Sequence, residues 1–344
     1  MHRESIVIVT PAFADANNGN WQTARRWARF LGSAYRVRLA GRWDGASGAA
    51  DADLLIALHA RRSAASVAAW RAVHPTRPLL LALTGTDLYR DIHTDASAQR
   101  SLAMADALVV LNELGARQLP AEHRAKCHVV LQSCSARRTL PRTARHLRAL
   151  MVGHLRNEKD PQTWFAAARL LAHRRDILLD HIGNALDPAL GAEASALAAA
   201  QANYRWLGGL PHAAVRGYIQ RAHVLVHPSQ IEGGAHVVME AIRSGTPVLA
   251  SRIDGNLGLL GKEYAGVFDV GDAAGLAALL QRARDDAAML TSLQTRLALR
   301  APLFSPKAES AALAGLVSRL LAGKASDHDS LPHPRSPGAR HERP

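Results

Sequence analysis

The chain is poor in cysteine and in aromatic side chains, and it has no long apolar run. Neither of its two cysteines, Cys127 and Cys134, belongs to a Cys-x-x-Cys pair, and no His/Cys cluster has zinc-ligand spacing. Both are expected to be free thiols in a reducing cytosol, with no metal and no cofactor. No stretch approaches the roughly 18 consecutive apolar residues of a membrane span. The amino-terminal MHRESIVIVTPAF has too short an apolar run for a signal peptide. A soluble, cytoplasmic protein with no membrane partner is therefore expected. Aromatics make up 5% of the chain, too few to furnish evident stacking positions for single-stranded nucleic acid. The net charge of +13 and pI of about 10.7 would suit nucleic acid, but the arginines are spread along the whole chain rather than gathered in one stripe. Nucleic acid is therefore not the expected partner, whereas small phosphorylated ligands fit. No repeat with a period of about 20–50 residues occurs, which excludes a solenoid.

What the sequence does have is a unit at 224–250, VLVHPSQIEGGAHVVMEAIRSGTPVLA. An apolar run closed by Pro228 reads as a buried parallel strand. A short loop with Glu232, Gly233 and Gly234 follows. Residues 235–244 have helical spacing, Gly245 stops the helix, and 246–250 reads as the next strand. A Gly-Gly turn at a helix amino terminus lets an anion reach unpaired amides, here those of 233–235, including Ala235. Glu232 and Glu240 flank this turn with seven residues between them. Carboxylates beside an anion site suit vicinal hydroxyls, so the combination implies a sugar nucleotide. Its diphosphate would lie on the amides and its hydroxyls on the acids. The alternative is one Glu placed for the helix dipole and another on a solvated face.

A 344-residue chain with 48% apolar content suits about two domains. In the first, strands are expected at 5–10, 35–39, 53–59, 78–83, 105–111 and 129–132. A tight turn at 17–20 containing Gly19 and Asn20 precedes a helix at 21–31, making a first βα unit. Arg25 and Arg26 oppose that helix's dipole, either as cations that meet an anion or as solvated side chains. His59, Arg61 and Arg62 follow the third strand, at the end where open α/β sheets bind ligands. Thr84 and Asp87 lie in a polar loop after the fourth strand; Asp87 either caps a helix or positions a ligand.

Basic residues 135–148 read as a linker, giving a first domain at 1–148 and a second at 149–304. A strand at 149–152 runs into GHLRNEKDP, with His154, Arg156 and Lys159 on the loop and Pro161 opening a helix. Strands at 177–182 and 204–207, a GGLPH loop holding Leu210, and a helix at 215–222 lead into the 224–250 unit. SRIDGNLGLLG reads as a glycine-rich loop whose Asn256 faces the ligand. Helices are expected at 273–284, 287–299 and 306–321. The last lies within 305–322, and 323–344 is expected to be disordered. The fold class is α/β, two Rossmann-like domains facing across a cleft.

The 224–250 unit resembles the Glu-x7-Glu motif of retaining GT-B glycosyltransferases of family four, as does SGTPVLAS. The resemblance implies that Glu240 binds the ribose and Glu232 lies at the donor sugar, with Gly19 facing the donor across the cleft and Leu210 near the uracil. GHLRNEKDP is similar to the family's G-R-L-x-x-x-K-G segment, whose Arg and Lys neutralise the diphosphate leaving group. Lys159 matches the Lys; His154 stands where the Arg is expected, so His154 or Arg156 must serve. ANNGNWQTARRW, ALHARRSA, LTGTDLYRDI, GHLRNEKDP and IEGGAHVVMEAIRSGTPVLASRIDGN together resemble the selenosugar synthases of selenoneine biosynthesis. This narrower resemblance implies UDP-glucose or UDP-N-acetylglucosamine as donor and selenophosphate as acceptor, with a 1-selenosugar, UDP and phosphate as products. It also implies channelling with other enzymes of that pathway. Asn20, Arg25, Arg26, His59, Arg61, Arg62, Thr84 and Asp87 would form the acceptor side. The alternative is a GT-B enzyme acting on a hydroxyl acceptor.

Overall fold

The computed structural model describes residues 3–11, 19–45 and 52–328, with 324–328 described by backbone alone. Two six-stranded sheets, parallel throughout, organise the chain. The first contains β1 (Ser5–Val9), β2 (Arg36–Ala40), β3 (Leu54–Leu58), β4 (Leu79–Leu83), β5 (Ala107–Val110) and β6 (Cys127–Val129), in the order β2-β1-β3-β4-β5-β6. The second contains β7 (Leu147–Val152), β8 (Ile177–Ile182), β9 (Tyr204–Trp206), β10 (Val224–His227), β11 (Val248–Ser251) and β12 (Val267–Phe268), in the order β12-β11-β10-β7-β8-β9.

The apolar runs explain the sheets. LLIAL of β3 and LLLAL of β4 are buried at every position, as strands covered on both faces must be. Alternate residues go to opposite layers: Leu55 and Ala57 pack with Trp43 and Trp70, while Leu54, Ile56 and Leu58 pack with Trp27 and Leu31. Chain order reverses between β1 and β3 in the first sheet and between β7 and β10 in the second. Each reversal opens a crevice at the strands' carboxyl ends, where ligands of such sheets bind. The loops after β3, β7 and β10 are those that carry His59, Lys159 and Glu232.

The last helix, Pro306–His328, lies on the first sheet's layer, burying Leu313, Leu316, Val317 and Leu321 with Ile6, Ile8 and Trp27. It runs beyond residue 322, so residues 323–328 are helical where a disordered tail was expected; the rest of that tail lies outside the described residues. Gly19 and Asn20 open the helix Gly19–Leu31 instead of forming a turn, and the other residues of the expected turn lie outside the described residues. The strand expected at 129–132 lies earlier, at Cys127–Val129.

SRIDGNLGLLG is helical, not a loop, over Asp254–Leu260. Gly255 and Gly258 answer to close approach, while Gly261 (φ 100°) turns the chain out of the helix. A Cβ on Gly255 would meet the Glu232 carbonyl oxygen at 2.0 Å, and one on Gly258 would meet Asn112 Oδ1 at 2.4 Å.

Candidate functional site

The crevice of the second sheet brings two loops together. Lys159 ends a short 3-10 turn, Asn157–Lys159, held by left-handed Asp160 (φ 49°). The Asp160 carboxylate caps the helix Pro161–Leu170 through Thr163 Oγ1 (2.7 Å) and the Thr163 amide. Across the crevice, the chain leaves β10 at His227 and turns through Glu232. The Gln230 amide donates to the Glu158 carbonyl (3.0 Å), fastening the loops at the backbone. The Lys159 ammonium pairs with Glu232 Oε1, which also accepts from His227 Nε2 at 3.1 Å. Burial by itself would raise the Glu232 pKa. The Lys159 charge and the His227 bond overcome it and hold the carboxyl well below the usual carboxylate range. The ionised form of Glu232 is thus favoured, and it is suited to facing positive charge. Lys159 has three donors, so the pair leaves it capacity for a ligand.

His154 is exposed on the same loop, and its Nδ1 accepts from the Asn184 amide at 3.1 Å. Burial of the ring, then the charges of Arg156 and Lys159, push its pKa down. The neutral imidazole is thereby favoured, and with Nδ1 accepting it presents an Nε2–H donor. Arg156 is exposed, and among the described residues its side chain forms no ion pair.

His181 of β8 supports this loop from beneath. Its Nε2 donates to the Gly153 carbonyl (3.1 Å) and its Nδ1 accepts from Tyr204 Oη (3.3 Å). Burial pushes its pKa down from 6.5 to about 4. The unfolded chain takes up this proton below pH 6.5 and the folded chain only below about pH 4, so stability falls as pH drops through that window. Urea unfolding of His181→Gln should show a flatter pH profile between about 6.5 and 4, the loss of a term of up to about 3 kcal/mol. An unchanged profile would show that this imidazole is not held neutral.

Glu240 lies on the helix His236–Ile242 and is 3% exposed. Its Oε1 is 2.6 Å from His212 Nε2, 3.4 Å from His236 Nδ1 and 3.4 Å from Arg216 Nη1. Burial opposes ionisation, but the two histidines and Arg216 hold the carboxyl well below its usual range. The bond to Glu240 in turn raises the His212 pKa. His212 is largely exposed and forms the solvent edge of this cluster.

The Gly-Gly turn faces the first domain. A Cβ on Gly233 would meet the Thr84 carbonyl oxygen at 2.4 Å, and one on Gly234 would meet Leu111 Cβ at 2.9 Å. Glycine is required there for the two domains to touch. Ala235 is buried behind the turn, and Leu210 is half-buried against the second core. Asn256 does not face the cleft: it is fully buried, and its amide donates to Ser251 O and Oγ, both at 3.0 Å.

The first domain departs furthest from expectation. Arg26 Nε pairs with Glu309 Oε2 at 2.7 Å, which removes it from the acceptor set. Asp87 caps no helix, and its carboxylate is taken up by backbone amides. Its Oδ1 accepts from the amides of Thr84 and Gly85 and its Oδ2 from that of Ala60, each at 2.9 Å. Arg61 Nε is held by Asp91 at 2.8 Å, though its side chain stays 41% exposed. His59 is buried in a left-handed conformation (φ 74°), and its Nε2 lies 3.2 Å from Thr86 Oγ1. Burial foremost lowers its pKa, against the pull of Asp87. Arg25 and Arg62 are exposed, and neither forms an ion pair among the described residues.

The sequence reading missed His227, Arg216, His212, His236 and Asn112. Two signals were available: His236 and Glu240 stand at i and i+4, as do His212 and Arg216. His227 and Asn112 gave no local signal, since their partners lie in loops that only folding brings near. Among the described residues, no three His, Cys, Asp or Glu are grouped to hold a metal, and no helix is long and apolar enough to cross a membrane.

Residues 136–300 match the family described as glycosyl transferases group 1. No curated protein matches the sequence. Among solved structures, the sucrose-phosphate synthase of Thermosynechococcus elongatus superposes with a TM-score of 0.75 at 17% identity, covering 93% of this chain and 100% of that one. HepE of Anabaena, solved with UDP and glucose, gives 0.71 at 14% identity over 92% of this chain and 100% of its own. A glycosyltransferase of Rickettsia africae gives 0.69 at 11% identity over 93% and 99%. The second sheet thus lies within the segment that resembles group 1 glycosyl transferases, and the fold of the whole chain is GT-B.

Proposed function

We propose that the protein transfers a hexosyl group from a UDP-sugar, with its diphosphate at the Lys159 loop, its ribose at Glu240 and its sugar beside Glu232. One observation carries this reading: a half-buried Lys159 paired with a buried Glu232 at the crevice of the second sheet, flanked on one loop by His154 and the exposed Arg156. As the bond to the diphosphate breaks, negative charge grows on phosphate oxygens and positive charge on the sugar. A lysine and an ionised glutamate set side by side oppose both without rearranging. Arg156 adds charge, and the His154 Nε2–H adds a hydrogen bond. That a structure of HepE holds UDP and glucose supports the same class of donor here.

For the acceptor we propose selenophosphate, on the narrower sequence resemblance and on the exposed guanidiniums of Arg25 and Arg62, with Arg61 shared between Asp91 and solvent. Selenium is already a strong nucleophile, so its attack on the anomeric carbon, with UDP leaving, requires no strong base; water then cleaves the P–Se bond to give the 1-selenosugar and phosphate. An enzyme that makes selenophosphate would then be the partner that hands it over. The engagement of Arg26 with Glu309 favours a second reading, a hydroxyl acceptor needing fewer cations. Incubation with UDP-glucose or UDP-N-acetylglucosamine plus selenophosphate should yield UDP and a selenium-bearing sugar by mass spectrometry; UDP release only with hydroxyl acceptors would select the second reading. Glu240→Gln should weaken UDP binding about tenfold or more in calorimetry, since it removes a charged acceptor from the ribose hydroxyls. Equal affinities for UDP in the two proteins would remove Glu240 from the site.

A further inference from the structure

We propose that Asn112 is the positioning residue that seats the Glu232 loop, and with it the Lys159–Glu232 pair, by fastening that loop of the second domain onto the first. The purpose assigned to this seating rests on the reading above; the seating itself rests on geometry alone. Asn112 follows β5 and is fully buried between the domains. Its Nδ2 donates to the Gly233 carbonyl at 2.8 Å and to Tyr89 Oη at 3.0 Å, while its Oδ1 accepts from the Leu114 amide at 3.0 Å. One oxygen therefore serves a turn within its own domain, and the amide nitrogen reaches a loop 121 residues away.

The surroundings show how closely this seam is fitted. Gly233 leaves no room for a side chain against Thr84, nor Gly258 against Asn112 itself, nor Gly255 against the Glu232 carbonyl. Glu232 thus has a neighbour on each side: its carbonyl rests on the helix Asp254–Leu260, and the next residue's carbonyl is held by Asn112. The carboxylate can meet Lys159 and His227 only while the backbone that carries it stays in this seat. Asn112 touches neither of those groups, so it acts on them through the loop.

Asn112→Asp separates the two duties. Aspartate keeps an oxygen for the Leu114 amide but turns a second oxygen on the Gly233 carbonyl, provided that the carboxyl is kept ionised at about pH 8. Hydrogen–deuterium exchange of the peptide 229–236 should accelerate about tenfold or more, as expected for loss of a buried bond, while the turn at 113–118 keeps its protection. UDP release from UDP-glucose should slow by about tenfold, with KM for UDP-glucose changed less than about threefold, because Glu240, the proposed ribose partner, is held by His212, Arg216 and His236 and not by Asn112. Gly258→Ala, which drives a methyl group against Asn112 from the other domain, should reproduce both effects, and Asn112→Ala should add loss of protection at 113–118. Unchanged exchange at 229–236 in Asn112→Asp would overturn the proposal, as would equal acceleration at both peptides. If wild-type protein neither binds UDP nor consumes UDP-glucose, the donor assignment fails, and the exchange measurement still decides the seam.

Discussion

Glu232→Gln and Lys159→Gln are each expected to slow sugar transfer by about 100- to 1,000-fold, the scale seen when one preorganised electrostatic partner is removed from an active site. The two groups act as a unit. Glu232 is ionised because Lys159 and His227 hold it so, against the cost of burial, and Lys159 is steered by Glu232 toward the crevice. With glutamine at 232 the amide keeps the shape but not the charge, and the ammonium loses its counterion. With glutamine at 159 the glutamate loses the charge that best offsets its burial, so its pKa should rise. The double variant should then be scarcely slower than either single variant, as for other groups that work together. The measurement is kcat for UDP release from UDP-glucose in all three proteins. Losses that simply multiply in the double variant would show independent roles, and wild-type rates in either single variant would place the chemistry elsewhere.

Glu309→Ala should cost about 3–5 kcal/mol of stability, the range for removing one partner of a buried ion pair. The Glu309 carboxylate is fully buried and accepts from Arg26 Nε (2.7 Å), Trp27 Nε1 (2.8 Å) and Ser133 Oγ (2.5 Å). These donors come from the first helix and from the segment after β6, while Glu309 comes from the first turn of the last helix. One carboxylate thus ties three distant parts of the chain together. Alanine would leave a mostly buried guanidinium and two further donors without their acceptor. Urea unfolding measures the loss, and a change under about 1 kcal/mol would show that water substitutes freely there. The same geometry implies that Arg26→Gln lowers stability and leaves the acceptor's KM unchanged.

Much of the architecture is visible in local pattern. Continuous apolar runs such as LLIAL and LLLAL can only be covered on both faces, which forces parallel strands and intervening helices. The loops that carry Lys159 and Glu232 stand out because charged residues and glycines interrupt that pattern at strand ends. The functions assigned to individual glycines and arginines were less legible. Gly233 and Gly234 read as a cradle for phosphate; folded, they are where two domains meet. Gly255 and Gly258 read as loop glycines, yet they let a helix pass against Glu232 and Asn112. Arg26 and Arg61 read as free cations, and Glu309 and Asp91 claim them.

The sequence by itself determined the two-domain α/β plan, the position of the polar loops at the strand ends and the presence of two carboxylates near a glycine turn, because these follow from the spacing of neighbours along the chain. Only the tertiary structure decided which charges are spoken for, which imidazoles are neutral and which glycines serve contact. Those properties depend on burial and on partners brought within a few ångströms from more than a hundred residues away, as Asn112 is to Gly233.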